Sequence, residues 1–220
     1  MTLKEYIQDN LTKMMYSSIK ALMPYGALFI LLLGILDFIV IPEKFNLFLI
    51  YRVIAAGLVL IMFFILNAKK TYSYKFMIFI SIICTLIPAG MVELMILSFG
   101  GHQSPYYAGI IIVTTFVLGF LQIPFKLSLL LIVTIYLIYL LPILILDVVH
   151  DAKIFANNNI FILATSFGVI GWKFFQHKLV INQLSLEYDL AREKERLKVY
   201  SDRLEEYSHR LEDMVAERTK

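Results

Sequence analysis

Cysteine, glycine, proline and charge are all scarce in this sequence. It holds one Cys, 10 Gly and 6 Pro among 220 residues, and only 17% of the residues are charged. These counts exclude a disulfide scaffold, a collagen-like chain and an intrinsically disordered protein. A soluble domain is roughly 45–50% apolar and about 25% charged. Here 60% of the residues are hydrophobic and the mean hydropathy is +0.77, so most of the chain is expected to lie in a membrane.

The few charges are divided unevenly along the chain. Residues 1–175 hold 11 basic and 7 acidic residues, whereas residues 176–220 hold 9 basic and 10 acidic ones. Over half of all charged residues therefore lie in the last 45 positions. We expect an N-terminal interfacial helix at 1–20, a transmembrane sensor domain at 21–175 and a cytoplasmic signalling helix at 176–220.

Long apolar runs predict an all-α, polytopic membrane protein. A helix needs about 20 mostly apolar residues to cross a bilayer. Six segments meet this requirement, namely 21–41, 47–66, 76–98, 106–124, 127–147 and 155–175. Lysines are concentrated in the connections on one side, which predicts that both termini are cytoplasmic. Trp172 and Lys173 would then anchor the sixth span at the inner interface.

The first 20 residues carry apolar side chains at helical spacing, with lysines among them. Leu3, Ile7, Leu11 and Met15 belong to this pattern. Two interpretations stay open. The segment is either an amphipathic helix on the lipids of the inner leaflet or a cytoplasmic extension of the first span.

Leucine repeats every seven residues in the charged tail. The first column consists of Leu190, Leu197, Leu204 and Leu211, and the second, three residues further on, includes Tyr200, Tyr207 and Met214. Glu193 is a charged intruder in the second column. The repeat predicts a parallel dimeric coiled coil, and hence a homodimer. No helix breaker follows Gly171, so the coil is expected to continue from the sixth span and to transmit its movements.

Three charged residues fall within predicted spans, where charge is expensive and functional roles are the default expectation. Asp37 comes late in the first span, Arg52 early in the second and Glu93 late in the third. With alternating span directions, all three lie in the outer half of the bilayer at similar height. One guanidinium between two carboxylates is expected to balance their charge.

The loop after the third span is expected to reach the same region. Gly100 and Gly101 allow a tight turn, and Ser104 before Pro105 is typical of an N-cap that opens the fourth span. Candidate ligand-binding residues are Asp37, Arg52, Glu93, His102, Gln103, Ser104, Tyr106, Tyr107 and Asn158. They form either an outward-facing pocket for a small molecule or an internal salt bridge with interfacial tyrosines. His102 and His150, expected to be exposed, would alternatively sense external pH.

Motifs for metal binding, phosphate binding and nucleophilic catalysis are missing from the sequence. The sequence has no Cys/His cluster for a metal, no phosphate-binding glycine loop and no nucleophile elbow, so we expect neither a cofactor nor catalytic residues in this chain. Basic residues of the tail alternate with acidic ones, which makes nucleic acid an improbable partner.

Two segments resemble parts of bacterial sensor kinases. Residues 211–220, LEDMVAERTK, resemble the signalling helix that enters the phosphoacceptor domain of sensor histidine kinases. Residues 100–109, GGHQSPYYAG, resemble a signature of multi-span sensor domains of such kinases and of some nucleotide cyclases. The resemblance implies a two-component receptor of the bacterial inner membrane, a homodimer that signals to a response regulator.

The same resemblance implies ATP and Mg²⁺ only for a kinase domain that this chain lacks. The sequence stops at Lys220, before any phosphoacceptor helix, ATP-binding domain or cyclase domain, and we expect it to be the sensor portion of a larger protein. His209 lacks the acidic residue and proline of a phosphoacceptor box, so it is interpreted as a coil-surface residue.

Two other functions stay open at this stage. The chain would be a small dimeric transporter or channel if a polar path crossed it, or a scaffold that only dimerises and localises a partner. As a receptor it would bind a polar, oxygen-bearing molecule such as a hydroxyketone or carboxylate, or a lipid-like signal that enters from the side.

Overall fold

The computed structural model describes residues 2–68 and 73–218, and its regular elements in that part of the chain are all helical. This confirms the predicted all-α class. The α-helices are α1 (Leu3–Val40), α2 (Phe45–Ala68), α3 (Tyr74–Ser98), α4 (Tyr107–Phe120), α5 (Phe125–Leu146) and α6 (Ala152–Arg218). Two short 3-10 helices, η1 (Pro42–Lys44) and η2 (Gly101–Gln103), lie in the connections.

The chain divides into two compact units. The first, called here the bundle, contains Gln8–His177, and the second, called the tail unit, contains residues 2–7 and 178–218 of the described chain. The bundle holds most of α1 and the first part of α6. In the tail unit the rings of Tyr6 and Tyr188 lie 5.4 Å apart.

No helix boundary occurs at the predicted division near residue 20. Helix α1 continues from Leu3 to Val40, and Met15 and Ile19 are buried inside the bundle. For residues 8–20 these contacts favour the interpretation as an extension of the first span over that of a separate amphipathic helix. An interfacial position of the N-terminus stays a prediction.

Helix α3 is the centre of the bundle and packs against α2, α4 and α5. Its most apolar stretch is 61% buried, against 28% or less for the other long helices. Gly109 of α4 permits a close approach, because a Cβ atom there would lie 2.8 Å from Cγ1 of Val92 on α3. Apolar side chains are exposed on the outward faces of α1, α2 and α5, as expected for helices in lipid.

Among the described residues, five helices are long and apolar enough to cross a membrane, which supports a membrane protein. They are α1, α2, α3, α5 and α6. The predicted fourth span at 106–124 differs, because α4 has 14 residues and ends at Phe120. Residues 121–124 are not helical. Pro124 prevents the helix from continuing, since it has no N–H to donate to the Phe120 carbonyl and disfavours helical backbone at Ile123.

Side chains from two other helices bind the backbone of this non-helical segment. Lys173 of α6 donates to the Leu121 carbonyl at 2.5 Å, and the Gln122 N–H donates to the hydroxyl of Ser18 on α1 at 3.2 Å. Irregular backbone at membrane depth is tolerated only where protein groups satisfy it. Lys173 is therefore not the exposed interface anchor expected from the sequence but is 1% exposed, whereas Trp172 is exposed.

Contacts at the opposite end of the bundle, called here the polar end, join both 3-10 helices to helix termini. Lys44 of η1 donates to the Ser98 carbonyl at the end of α3. His102 of η2 bonds to Asp147 at the end of α5, and Asn158 near the start of α6 reaches the same loop. Successive helices therefore run in alternating directions, as the predicted topology requires.

Replacing Ser18 with Ala removes the acceptor of the Gln122 N–H. We expect the free energy of unfolding to fall by about 1 kcal/mol, the usual contribution of one such hydrogen bond. Thermal unfolding in lipid nanodiscs measures the change. Ser17→Ala is the matched control, because Ser17 is exposed one position earlier in α1 and shares the gain in helix propensity. Equal melting temperatures for the two variants would contradict this role of Ser18.

Candidate functional site

A buried ion pair joins the first two helices at the polar end. Arg52 Nε lies 2.5 Å from Asp37 Oδ2, and Arg52 Nη2 lies 2.9 Å from Asp37 Oδ1. Both side chains are at most 4% exposed. The bidentate geometry is the strongest form of a guanidinium–carboxylate contact. The sequence correctly placed these two charges at one height.

Two further groups complete this network. The Tyr106 hydroxyl donates to Asp37 Oδ1 at 2.7 Å, and Arg52 Nη1 donates to the Ile30 carbonyl at 3.2 Å. The Tyr106 ring is held by Phe48 and Phe99, whose ring centroids lie 5.1 and 6.2 Å away in edge-to-face geometry. The network thus connects α1, α2 and the residue that precedes α4.

Glu93 is not part of this network. Arg52 was expected to balance two carboxylates, but its hydrogen bonds go to Asp37 and Ile30. Glu93 is 4% exposed, and neither of its oxygens has a hydrogen-bond partner among the described residues. The hydroxyl of Tyr139 on α5 is likewise unpaired and interacts electrostatically with Glu93.

The loop of η2 is held by a second set of polar contacts. Gly100 and Gly101 have φ angles of 87° and 54°, which favour glycine. Asp147 Oδ2 lies 2.7 Å from both the backbone nitrogen and Nδ1 of His102. A Cβ atom at Gly101 would overlap this carboxylate, so the glycine also permits the close approach.

His102 is buried, contrary to the exposed position expected from the sequence. The Asp151 N–H donates to Nε2 at 3.3 Å, and Asn158 Nδ2 donates to the His102 carbonyl at 3.0 Å. With Nε2 accepting and Nδ1 facing a carboxylate, these partners assign the neutral tautomer that carries its proton on Nδ1. His102 and Asn158 therefore hold the loop. His150 is exposed, as predicted.

The remaining predicted site residues have other surroundings. Ser104 has extended backbone, and its hydroxyl accepts a bond from the Tyr106 N–H at 3.3 Å in the turn that precedes α4. The α-helix itself begins at Tyr107, two residues later than expected from a cap at Ser104. Tyr107 is half-buried and interacts with Tyr139, and Gln103 is exposed.

An apolar cavity of about 90 Å³ lies beside the Arg52 network, between α1, α2, α3 and α4. Representative lining residues are Met23, Ile30, Met91, Met95, Val113 and Phe116. A second cavity of about 150 Å³ shares Leu33, Gly109 and Ile112 with the first, and Arg52 and Tyr106 line both. No sequence pattern indicates these cavities, because apolar side chains that line a space do not differ from those that fill one.

Sequence reasoning also missed Asp147 and Tyr139. Asp147 is the last residue of the predicted fifth span, so a carboxylate was expected at the outer end of that span, on the same side as the loop that contains His102. Hydrogen bonds from the backbone N–H and the ring of His102 hold the pKa of Asp147 below its ordinary value of 3.8. Tyr139 lies in an apolar stretch of α5 and is 1% exposed.

Replacing Asp147 with Asn weakens the contacts that hold η2. We expect a loss of about 1–2 kcal/mol at neutral pH, since hydrogen bonds to charged groups are the stronger ones. Because the pKa is lower in the folded state, the carboxylate stabilises the protein above pH 3.8, and this contribution disappears as the pH falls below that value. Acid unfolding should therefore be steeper for the native protein than for Asp147→Asn.

Exposed Glu43 of η1 offers a control for this measurement, and Glu43→Gln should leave the acid limb of the melting-temperature curve unchanged. Parallel pH curves for the native protein and Asp147→Asn would refute the assignment.

Comparison with known proteins adds one match. The family model of MASE8 matches residues 35–191, which include Asp37, Arg52, Glu93 and the whole η2 loop. No curated protein and no solved structure matches the chain significantly. The match covers more than half of the chain and contains both the ion pair and the polar end. The chain belongs to MASE8, a family of membrane-associated sensor domains.

Proposed function

We propose that this chain is the signal-input domain of a dimeric membrane receptor, and that its signal is an amphiphilic small molecule. The observation that carries this proposal is the apolar cavity of the bundle, which ends at Arg52 and Tyr106. Ligand sites are usually apolar spaces with a few polar groups that fix orientation. Membership of a sensor family supports the same function.

The lining predicts the chemistry of the ligand. Three of the five N–H donors of a guanidinium are engaged by Asp37 and Ile30, which leaves two for a bound molecule. Because Asp37 already balances the charge of Arg52, a neutral carbonyl or hydroxyl oxygen suits this position better than a carboxylate does. The apolar remainder of the ligand would lie along Met23, Met91 and Val113.

Access from the bilayer suits such a molecule. We infer six crossings, with α4 and the non-helical residues 121–124 together forming the fourth, and with both termini in the cytoplasm of a bacterium. The lysine distribution supports this orientation. In it the Asp37–Arg52 pair lies in the outer half of the membrane, where a membrane-borne molecule enters between α1 and α4.

We infer that the tail unit dimerises through its leucine column. Leu190, Leu197, Leu204 and Leu211 are 57–70% exposed, and the alternate positions Tyr200, Tyr207 and Met214 are 52–62% exposed. An apolar stripe of this length on a solvated helix marks an interface, and its heptad spacing suits a second copy of the same helix. The coil would carry a change in bundle packing to an output domain, since α6 contributes to both units.

The output domain is inferred from the resemblance of residues 100–109 and 211–220 to sensor histidine kinases. ATP and Mg²⁺ would bind that domain, and a response regulator would receive the phosphoryl group. A nucleotide cyclase is the second candidate, because the signature of residues 100–109 is similar in both classes. In either case the ligand must bind one packing state of the bundle more tightly than the other.

Filling the cavity should prevent ligand binding. Val113 is 7% exposed and lines the cavity, so Val113→Phe occupies the space that the ligand needs. We expect at least a tenfold loss of the amphiphile that co-purifies with the nanodisc-embedded chain, measured by native mass spectrometry. Val133→Phe is the control, since Val133 is 49% exposed on α5. Equal retention by both variants would refute the cavity as the binding site.

Single cysteines in the coil test the dimer. In a Cys84→Ala background, Leu204→Cys should form a disulfide between two copies under mild oxidation, because seam residues of a parallel pair lie within bonding distance. Asp202→Cys, on the outer face of the same turn, should cross-link poorly. The yield is read from non-reducing gels of membranes. Similar yields at both positions would contradict parallel pairing through the leucine column.

A further inference from the structure

Glu93 carries a carboxyl group that is buried near the end of the central helix and has no hydrogen-bond partner in the described part of the chain. Its side chain is 4% exposed, and both oxygens lack a hydrogen-bond partner among the described residues. Tyr139, which is 1% exposed, presents an unpaired hydroxyl nearby. Three unpaired buried polar atoms in one place are unusual, because the great majority of such atoms in folded proteins are bonded.

In the described part of the chain, the basic side chains of Arg52, Lys44 and His102 at the polar end are engaged by groups other than Glu93. On α2 the guanidinium of Arg52 is bonded to Asp37 of α1 and to a backbone carbonyl. Lys44 of η1 donates to the Ser98 carbonyl. In η2 the neutral tautomer assigned to His102 has both of its ring nitrogens engaged, by Asp147 and by the Asp151 N–H.

Tyr139 is the hydroxyl that interacts with Glu93. This residue of α5 interacts electrostatically with Glu93, with Tyr136 on the same helix and with Tyr107, the first residue of α4. Tyr136 is already committed, since its hydroxyl donates to Asn159 Oδ1 at 3.0 Å. Hydroxyls can accept or donate one hydrogen bond each, but they cannot balance a full negative charge.

An ionised Glu93 would therefore be an isolated charge inside a membrane bundle, which is strongly unfavourable. A protonated carboxyl avoids this cost and can donate to the free hydroxyl oxygen of Tyr139. A bound metal cation fits less well. No group of three His, Cys, Asp or Glu side chains that could hold one occurs in the described part of the chain, and Ca²⁺ or Mg²⁺ needs about six oxygen ligands.

We propose that Glu93 and Tyr139 form a buried proton-binding site, in which the packing of α3 against α5 is coupled to uptake of one proton. The proton comes from water and binds the carboxylate as the bundle closes. It leaves when the helices separate enough to hydrate Glu93. The site is distinct from the Arg52 cavity, so a proton and an amphiphile would act as two inputs to one bundle.

Infrared difference spectroscopy of the whole chain in nanodiscs tests this proposal directly. At neutral pH we expect the carbonyl stretch of a protonated carboxylic acid, which is absent in Glu93→Gln. Tyr139→Phe should retain this band and shift it to higher frequency, because the hydrogen bond that we propose the protonated carboxyl donates to the tyrosine hydroxyl can no longer form. Absence of the band in the native protein, or its persistence in Glu93→Gln, would overturn the proposal.

A second measurement does not depend on the spectrum. A folded state that holds an extra proton loses stability as the pH rises, since the unfolded state releases that proton more readily. The melting temperature of the native protein should therefore decline on the alkaline side. In Glu93→Gln, which mimics the neutral acid, this decline should be absent. Glu43→Gln is the exposed control and should behave like the native protein.

The same titration distinguishes a proton from a cation. Exchange of potassium for sodium at constant ionic strength should leave the melting temperature of the native protein unchanged. Stabilisation by sodium that disappears in Glu93→Gln would overturn the proposal in favour of a cation site. If Glu93→Gln does not fold, the band in the native protein and its shift in Tyr139→Phe still decide the outcome.

Discussion

Asp37 and Arg52 place a full pair of opposite charges inside an apolar bundle, and the polar end depends on how that pair is satisfied. A guanidinium or a carboxylate alone at this depth would be strongly destabilising. Each therefore requires the other in bidentate geometry, which sets the rotation of α1 against α2. Tyr106 adds its hydroxyl to the same carboxylate and so locates the start of α4. The cavity depends on the same network, because Arg52 and Tyr106 of the network supply its polar lining.

Other polar side chains of the bundle are also satisfied by hydrogen bonds. Ser18 and Lys173 satisfy the backbone where α4 ends early, and Asp147 and Asn158 hold the η2 loop. These side chains have partners and explain the shape of the fold. The functional proposals rest instead on groups without a partner in the described structure. These are two N–H donors of Arg52, the carboxyl of Glu93 with the Tyr139 hydroxyl, and the leucine column of the tail unit, whose apolar side chains are exposed.

Predictions from the sequence succeeded where only the height of a residue along the helix axis mattered. Alternating apolar segments fixed the height of each residue, so Asp37 and Arg52 were expected to meet, and they do. Glu93 shares that height, yet it faces the hydroxyl of Tyr139 on α5 and receives no bond from Arg52. Each residue of a helix is rotated by about 100° from the one before, so height alone does not say which neighbour a side chain meets.

The linear pattern of apolar and charged residues was enough to establish an all-helical membrane protein, its approximate helix ends, the heptad column of the tail and the few charges worth attention. These properties depend on composition and period, which are local. Burial of His102, the early end of α4 at Phe120 and the apolar cavity became visible only in three dimensions. They depend on contacts between residues far apart in the chain, such as His102 with Asp147 and Leu121 with Lys173, and no local period records such contacts.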